Sequence, residues 1–326
     1  MRACPRLDDR ALGYYALPRE RTALSLPGMN TFLMLVPDFA LILLGWGLRR
    51  RAGLGDAFWT GLEKLVYFVL FPALLFSAVM RTHIVLGEVL PLLLSGVAIM
   101  ALGLVAGLVA QPIMGLDALS FSSRLQCAFR FNSYIAIAVV GKVHGAAGIS
   151  LMGALMGATV PVANITAVSL MARHGEGNVL REVARNPLVI ATLSGVVCNL
   201  LGFTVPVPIS QFLARLADAS IALGLLAVGA ALRGGNPGGH WFGAGWLLAV
   251  KLMLLPLFAW WAAPWLGLQG MARDVAVIFA ALPTASSAYI LTTRMGGDGQ
   301  GVAWLISAST LLAVFSMTLW LRVLGV

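Results

Sequence analysis

Two clusters of uncharged polar residues lie inside apolar stretches of membrane length. One kind of chemistry is open to them, hydrogen-bond donation to an anion. The first cluster is Asn132 and Ser133 in F-R-F-N-S-Y; the second is Pro283, Thr284, Ser286 and Ser287 in A-L-P-T-A-S-S-A-Y. Pro283 removes a backbone donor and collides with the preceding turn, leaving carbonyls free. Opened backbone inside a bilayer is tolerated only where protein or a water-filled cavity satisfies it. Hydroxyls, and an asparagine amide, can donate to a carboxylate there without adding charge at depth. The competing reading is plain: a kink whose serines and threonine bond back to their own helix, and an asparagine joining two helices.

The charges deepest in their apolar stretches are Asp38 and Lys251. Ionisable groups at such depth face a partner or a cavity. Asp38 is a candidate proton carrier, its pKa raised by desolvation, or a solvated group near the outer interface. Lys251 reads as a structural or charge-balancing lysine or as an anion ligand. Arg130 lies near the Asn132 cluster and either attracts anions or snorkels to the interface. Asn164 and Asn199 either bond an opened helix at the binding site or join neighbouring helices. Pro72 kinks its helix. Gly296, Gly297 and Asp298 form a turn, and Trp241 and Trp246 are candidate interfacial anchors.

Other chemistries find little here. No GxxxxGK[ST] run is present, so ATP hydrolysis by this chain is not expected. His83, His144, His174 and His240 fall at span ends or loops, with no carboxylate spaced to pair with them, and nothing has the spacing of a metal site. Cys4, Cys127 and Cys198 form no CxxC and suggest neither a disulfide framework nor a metal centre. No cofactor, metal or catalytic residue is expected.

These residues are positioned by a chain that is 60% hydrophobic and 11% charged. A soluble domain averages about 45–50% apolar and about 25% charged, so the reading is an all-α polytopic membrane protein. The net charge of +9 does not indicate nucleic acid, because the basic residues sit at span ends. Apolar runs divide into ten spans at 31–48, 63–81, 87–110, 124–142, 147–171, 187–204, 209–232, 241–265, 273–293 and 300–322. The larger set of Lys/Arg, including Arg49 to Arg51, Arg124, Arg173, Arg181, Arg185 and Arg233, marks the cytoplasmic side. Both termini are then outside. Residues 1–28 carry five arginines on that wrong side and no apolar h-region, which suggests a disordered extension or a true start at Met29.

A charged linker, 173–186, separates residues 29–172 from 187–326, giving two halves of five spans. An odd number per half inverts the second relative to the first, the inverted-repeat plan of many secondary transporters. The two polar clusters hold equal rank, in spans four and nine.

Pieces along almost the whole chain from Met29 resemble the auxin efflux carrier family in its bacterial branch, the malonate and malate permeases related to plant PIN carriers. They include K-L-V-Y-F-V-L-F-P-A-L-L-F-S-A (64–78), F-R-F-N-S-Y-I-A-I-A-V-V-G (129–141), N-P-L-V-I-A-T-L-S-G-V-V-C-N (186–199) and A-A-L-P-T-A-S-S-A-Y-I-L-T-T-R-M-G-G-D (280–298). The resemblance implies ten helices in two inverted five-helix repeats, with helices four and nine unwound at a crossover. It also implies a scaffold, a mobile transport domain, and elevator-type movement of small organic anions across the cytoplasmic membrane. The partners expected are an organic acid and membrane lipid, with a proton and a second copy of the chain as further candidates. One departure is visible: plant members carry proline at both crossings, whereas span four here has only Asn132 and Ser133. A sodium-coupled symporter of the bile-acid type, similar in general architecture, is the alternative.

Overall fold

The computed structural model describes residues 29–80, 86–171, 187–232 and 238–326. The extension before Met29, the whole 173–186 linker with His174, and His83 and Arg233 lie outside the described residues. Among the described residues every regular element is a helix. In chain order these are α1 (Met29–Arg51), α2 (Asp56–Leu65), α3 (Phe71–Met80), α4 (Leu86–Leu108), α5 (Ala110–Met114), α6 (Ala118–Leu125) and α7 (Ser133–Met171). They continue with α8 (Pro187–Leu200), α9 (Val207–Ala231), α10 (Trp241–Ala249), α11 (Leu255–Ala262), α12 (Gly270–Ala281), α13 (Ser287–Arg294) and α14 (Gly299–Leu324).

Six stretches among these are long and apolar enough to cross a membrane: Asp56–Met80, Val89–Met114, Ala118–Met171, Val207–Ala231, Trp241–Ala262 and Gly299–Leu324. The stretch Ala118–Met171 holds what the sequence divides into spans four and five. Gly145, at φ 59, turns the chain between them, a left-handed conformation that glycine adopts without strain. Span nine is absent from the six for a physical reason. It is split by residues 282–286 into α12, 12 residues long, and α13, 8 residues long.

Prolines leave a second signature. The turns Val66–Leu70, between α2 and α3, and Val250–Leu254, between α10 and α11, are both π-helical. Each ends two residues before a proline, Pro72 or Pro256. A proline ring crowds the carbonyl four residues upstream and offers it no N–H. One wider turn absorbs both defects without breaking the helix. The kink expected at Pro72 therefore takes the form of a π turn.

The helices pack in two groups. α1 packs on α9, which with α8 packs on α3; α4 and α10 to α14 form the second group, α7 contacts both, and α1 also packs against α14. In the first group α1 and α9 touch backbone to backbone. A Cβ built at Gly45 would overlap the Leu226 carbonyl, and one at Gly229 would overlap the Ile42 carbonyl. Small residues at helix crossings allow this approach, which van der Waals contact then rewards where lipid supplies no hydrophobic drive. Asn199 of α8 donates to the Val79 and Met80 carbonyls at 3.1 and 3.3 Å, covering the exposed end of α3.

Candidate functional site

Two interruptions of helix meet. Between α6 and α7 the chain passes through a short 3-10 turn, Gln126–Ala128, and leaves helical geometry until Ser133. Between α12 and α13 it is non-helical from Leu282 until Ser287. The Asn132 backbone N–H donates to the Pro283 carbonyl at 2.9 Å, joining one interruption to the other.

Asn132 specifies the restart of helix locally. Its Oδ1 accepts the Tyr134 and Ile135 N–H groups at 3.1 and 3.3 Å, the geometry of an asparagine N-cap. With Oδ1 so engaged, the amide NH2 is the group left over, and Nδ2 is buried without a partner among the described residues. On the other chain segment Thr284 is held twice. Its N–H donates to Ser309 Oγ at 3.2 Å, and its hydroxyl donates to the Cys127 carbonyl at 2.8 Å. The carbonyl freed in the first interruption is thus satisfied by the second.

A cavity of about 230 Å³ opens at this meeting point. Asn132, Ser133, Ser286 and Ser287 line it, together with Arg130 and Asn164. Pro283 and Thr284 are buried beside it and hold the crossing rather than facing the space. Arg130 Nη2 donates to Ser287 Oγ at 2.9 Å, while Nη1 is buried and unpartnered among the described residues. The walls carry aromatic rings that sequence reasoning did not single out: Tyr67, Phe71, Phe131 and Tyr134. Phe71 and Tyr134 pack with ring centres 4.9 Å apart, and Phe131 packs on Phe279 at 4.5 Å. The tyrosine that follows serine in both F-R-F-N-S-Y and A-L-P-T-A-S-S-A-Y was the available signal for Tyr134, but nothing in the sequence places Tyr67 beside it.

The remaining candidates lie elsewhere. Asp38 forms an ion pair with Lys142 of α7 at 2.7 Å. Lys251 is 2% exposed within its π turn and donates to the Ala280 carbonyl at 3.4 Å, near the C-terminal, electronegative end of α12. No carboxylate lies within ion-pair distance of it among the described residues. Asn199 caps α3, as described above. Trp246 donates to the Ala106 carbonyl at 2.8 Å.

Two expectations need correction. His144 does have a carboxylate partner: its Nε2 lies 3.1 Å from Asp274 Oδ2, with Arg273 Nη2 3.5 Å from the other oxygen. The pairing joins helices far apart in sequence, so spacing could not reveal it. Asp298 is more than part of a turn. It accepts from Arg124 Nε at 2.6 Å and from the Gly301 N–H at 2.9 Å, closing the α13–α14 connection onto α6. Arg124 itself is buried.

A sequence profile of the family described as "Membrane transport protein" matches residues 31–321. Among curated proteins, an "Uncharacterized transporter" of Methanothermobacter thermautotrophicus is 26% identical over 292 residues, covering 87% of this chain and 95% of that protein. A "Putative malonate transporter" of Rhizobium meliloti is 24% identical over 306 residues, covering 87% of this chain and 93% of that one. The resemblance to auxin efflux carriers and the transporter names agree with the apolar helices. The chain belongs to the membrane transport protein family, as a multi-pass transporter and not an enzyme.

Proposed function

We propose that this chain carries small organic anions of the malonate or malate kind across the cytoplasmic membrane, binding them in the cavity where the two helix interruptions meet. The observation that carries the reading is that cavity's lining: amide and hydroxyl donors beside one guanidinium, at the junction of α6–α7 and α12–α13. In this reading α6 with the first part of α7, and α12 with α13, are helices four and nine of two inverted five-helix repeats. Both termini then face outward. The packing group of α1, α3, α8 and α9 is the scaffold, and the second group moves against it to expose the cavity to either side. The name of the Rhizobium meliloti relative makes malonate the first acid to test. The lining includes no carboxylate, so the sodium-coupled alternative draws no support from it.

Uptake of labelled malonate and malate into proteoliposomes tests the proposal, with wild type beside Asn132→Ala and Ser287→Ala. Saturable uptake lost in both folded variants supports the site. Undiminished uptake in both variants removes the site, and failure of folded wild type to move any small carboxylate removes the substrate class.

A further inference from the structure

Arg130 is the one charged side chain among the residues lining the cavity. It is 6% exposed, too enclosed for a guanidinium reaching the interface. Arginine is not deprotonated in proteins, and its fork of five N–H donors suits a carboxylate. Here one Nη2 donor is engaged, by the neutral Ser287 hydroxyl, and Nη1 remains without a partner among the described residues. The titratable groups around it do not neutralise it. Tyr67 and Tyr134 face the same cavity, with Glu63 acting on Tyr134 from beyond them. Cys127 lies on its own segment, and past it Asp298 is committed to Arg124. The other buried donor lining the cavity without a partner among the described residues, Asn132 Nδ2, is neutral.

We propose, resting on the carrier reading above, that Arg130 is the charge anchor of this cavity and admits carboxylates as singly charged species. A dicarboxylate then travels with one proton on its second carboxyl group. One carboxylate on the guanidinium leaves the site neutral. A second carboxylate would meet only amides and hydroxyls, and an uncompensated charge at membrane depth is strongly disfavoured. Protonated, that second group finds partners in Ser133 and Ser286, while the methylene between lies against Phe71 and Phe131. The proton is carried by the substrate, so Asp38, tied to Lys142, is not needed to relay it.

The test uses the purified full chain in proteoliposomes with inside and outside pH kept equal, so that no gradient drives transport. The probes are labelled malonate and labelled malonamate, its monoamide, which keeps a single charge across the range. Below saturation, malonate uptake falls about tenfold per pH unit above the acid's second pKa, and malonamate uptake stays level. Arg130→Gln loses both, Arg130→Lys keeps malonamate uptake at a reduced rate, and Asp38→Asn leaves the malonate pH profile unmoved. Malonate uptake that is constant or rises with pH overturns the singly charged cargo, and uptake intact in Arg130→Gln overturns the anchor. If folded wild type moves neither acid, the carrier reading falls and this proposal with it.

Discussion

Removing the Asp298 carboxylate takes an ion-pair partner from a buried cation, and the cost can be worked from the geometry. Arg124 Nε and Asp298 Oδ2 are 2.6 Å apart, with side chains 5% and 19% exposed. At an effective dielectric of about 20 the gross attraction is roughly 6 kcal/mol. Desolvation of the two ions offsets several kcal/mol of that, leaving a net coupling of about 2 kcal/mol, within the usual range for contacting residues. Asp298 also caps α14 through the Gly301 N–H, a contribution of about 1 kcal/mol. Asp298→Ala should therefore destabilise by about 3 kcal/mol, and Arg124→Met by less, because its loss leaves the cap in place. The double variant should lose less than the sum of the two. The assay is reversible SDS unfolding in mixed micelles, run as a double-mutant cycle. Strict additivity, or an Asp298→Ala cost below about 0.5 kcal/mol, would refute the claim that this contact closes α13–α14 onto α6.

Two further outcomes can be checked the same way. Thr284→Val keeps the shape but leaves the buried Cys127 carbonyl without its donor, so unfolding should cost about 1–3 kcal/mol less, and uptake should fall through a disturbed crossing. Gly229→Leu forces a side chain into the Ile42 carbonyl, separating α1 from α9. A loss of about 1–3 kcal/mol in the SDS assay is expected, and a neutral result would mean that these backbones do not touch.

What could be read from the residues and what could not divide along a physical line. Interruptions of helix are local events, so Pro283 marks its own break, and Asn132 marks a helix start through its capping oxygen. The apolar runs likewise declare the membrane. Pairings are not local. Lys142 with Asp38, His144 with Asp274 and Arg124 with Asp298 each join separate helices, and no spacing rule links them. Arg130 is the intermediate case. Its place near the start of an apolar run leaves a snorkelling arginine open, whereas it sits in the non-helical stretch after Ala128 and lines the cavity.

The bond from the Asn132 N–H to the Pro283 carbonyl bears on how the chain is made. A proline at 132 would have no N–H and could not donate that bond. Asparagine can, so part of what holds the first interruption open is 151 residues further along the chain, at Pro283. During synthesis the first half enters the bilayer before that carbonyl exists. Until the second half arrives the Asn132 N–H lacks this acceptor, and the first interruption rests on the local Asn132 cap. The crossing is thereby a joint product of both halves of the chain, completed only when the Pro283 carbonyl is in place to receive the Asn132 N–H.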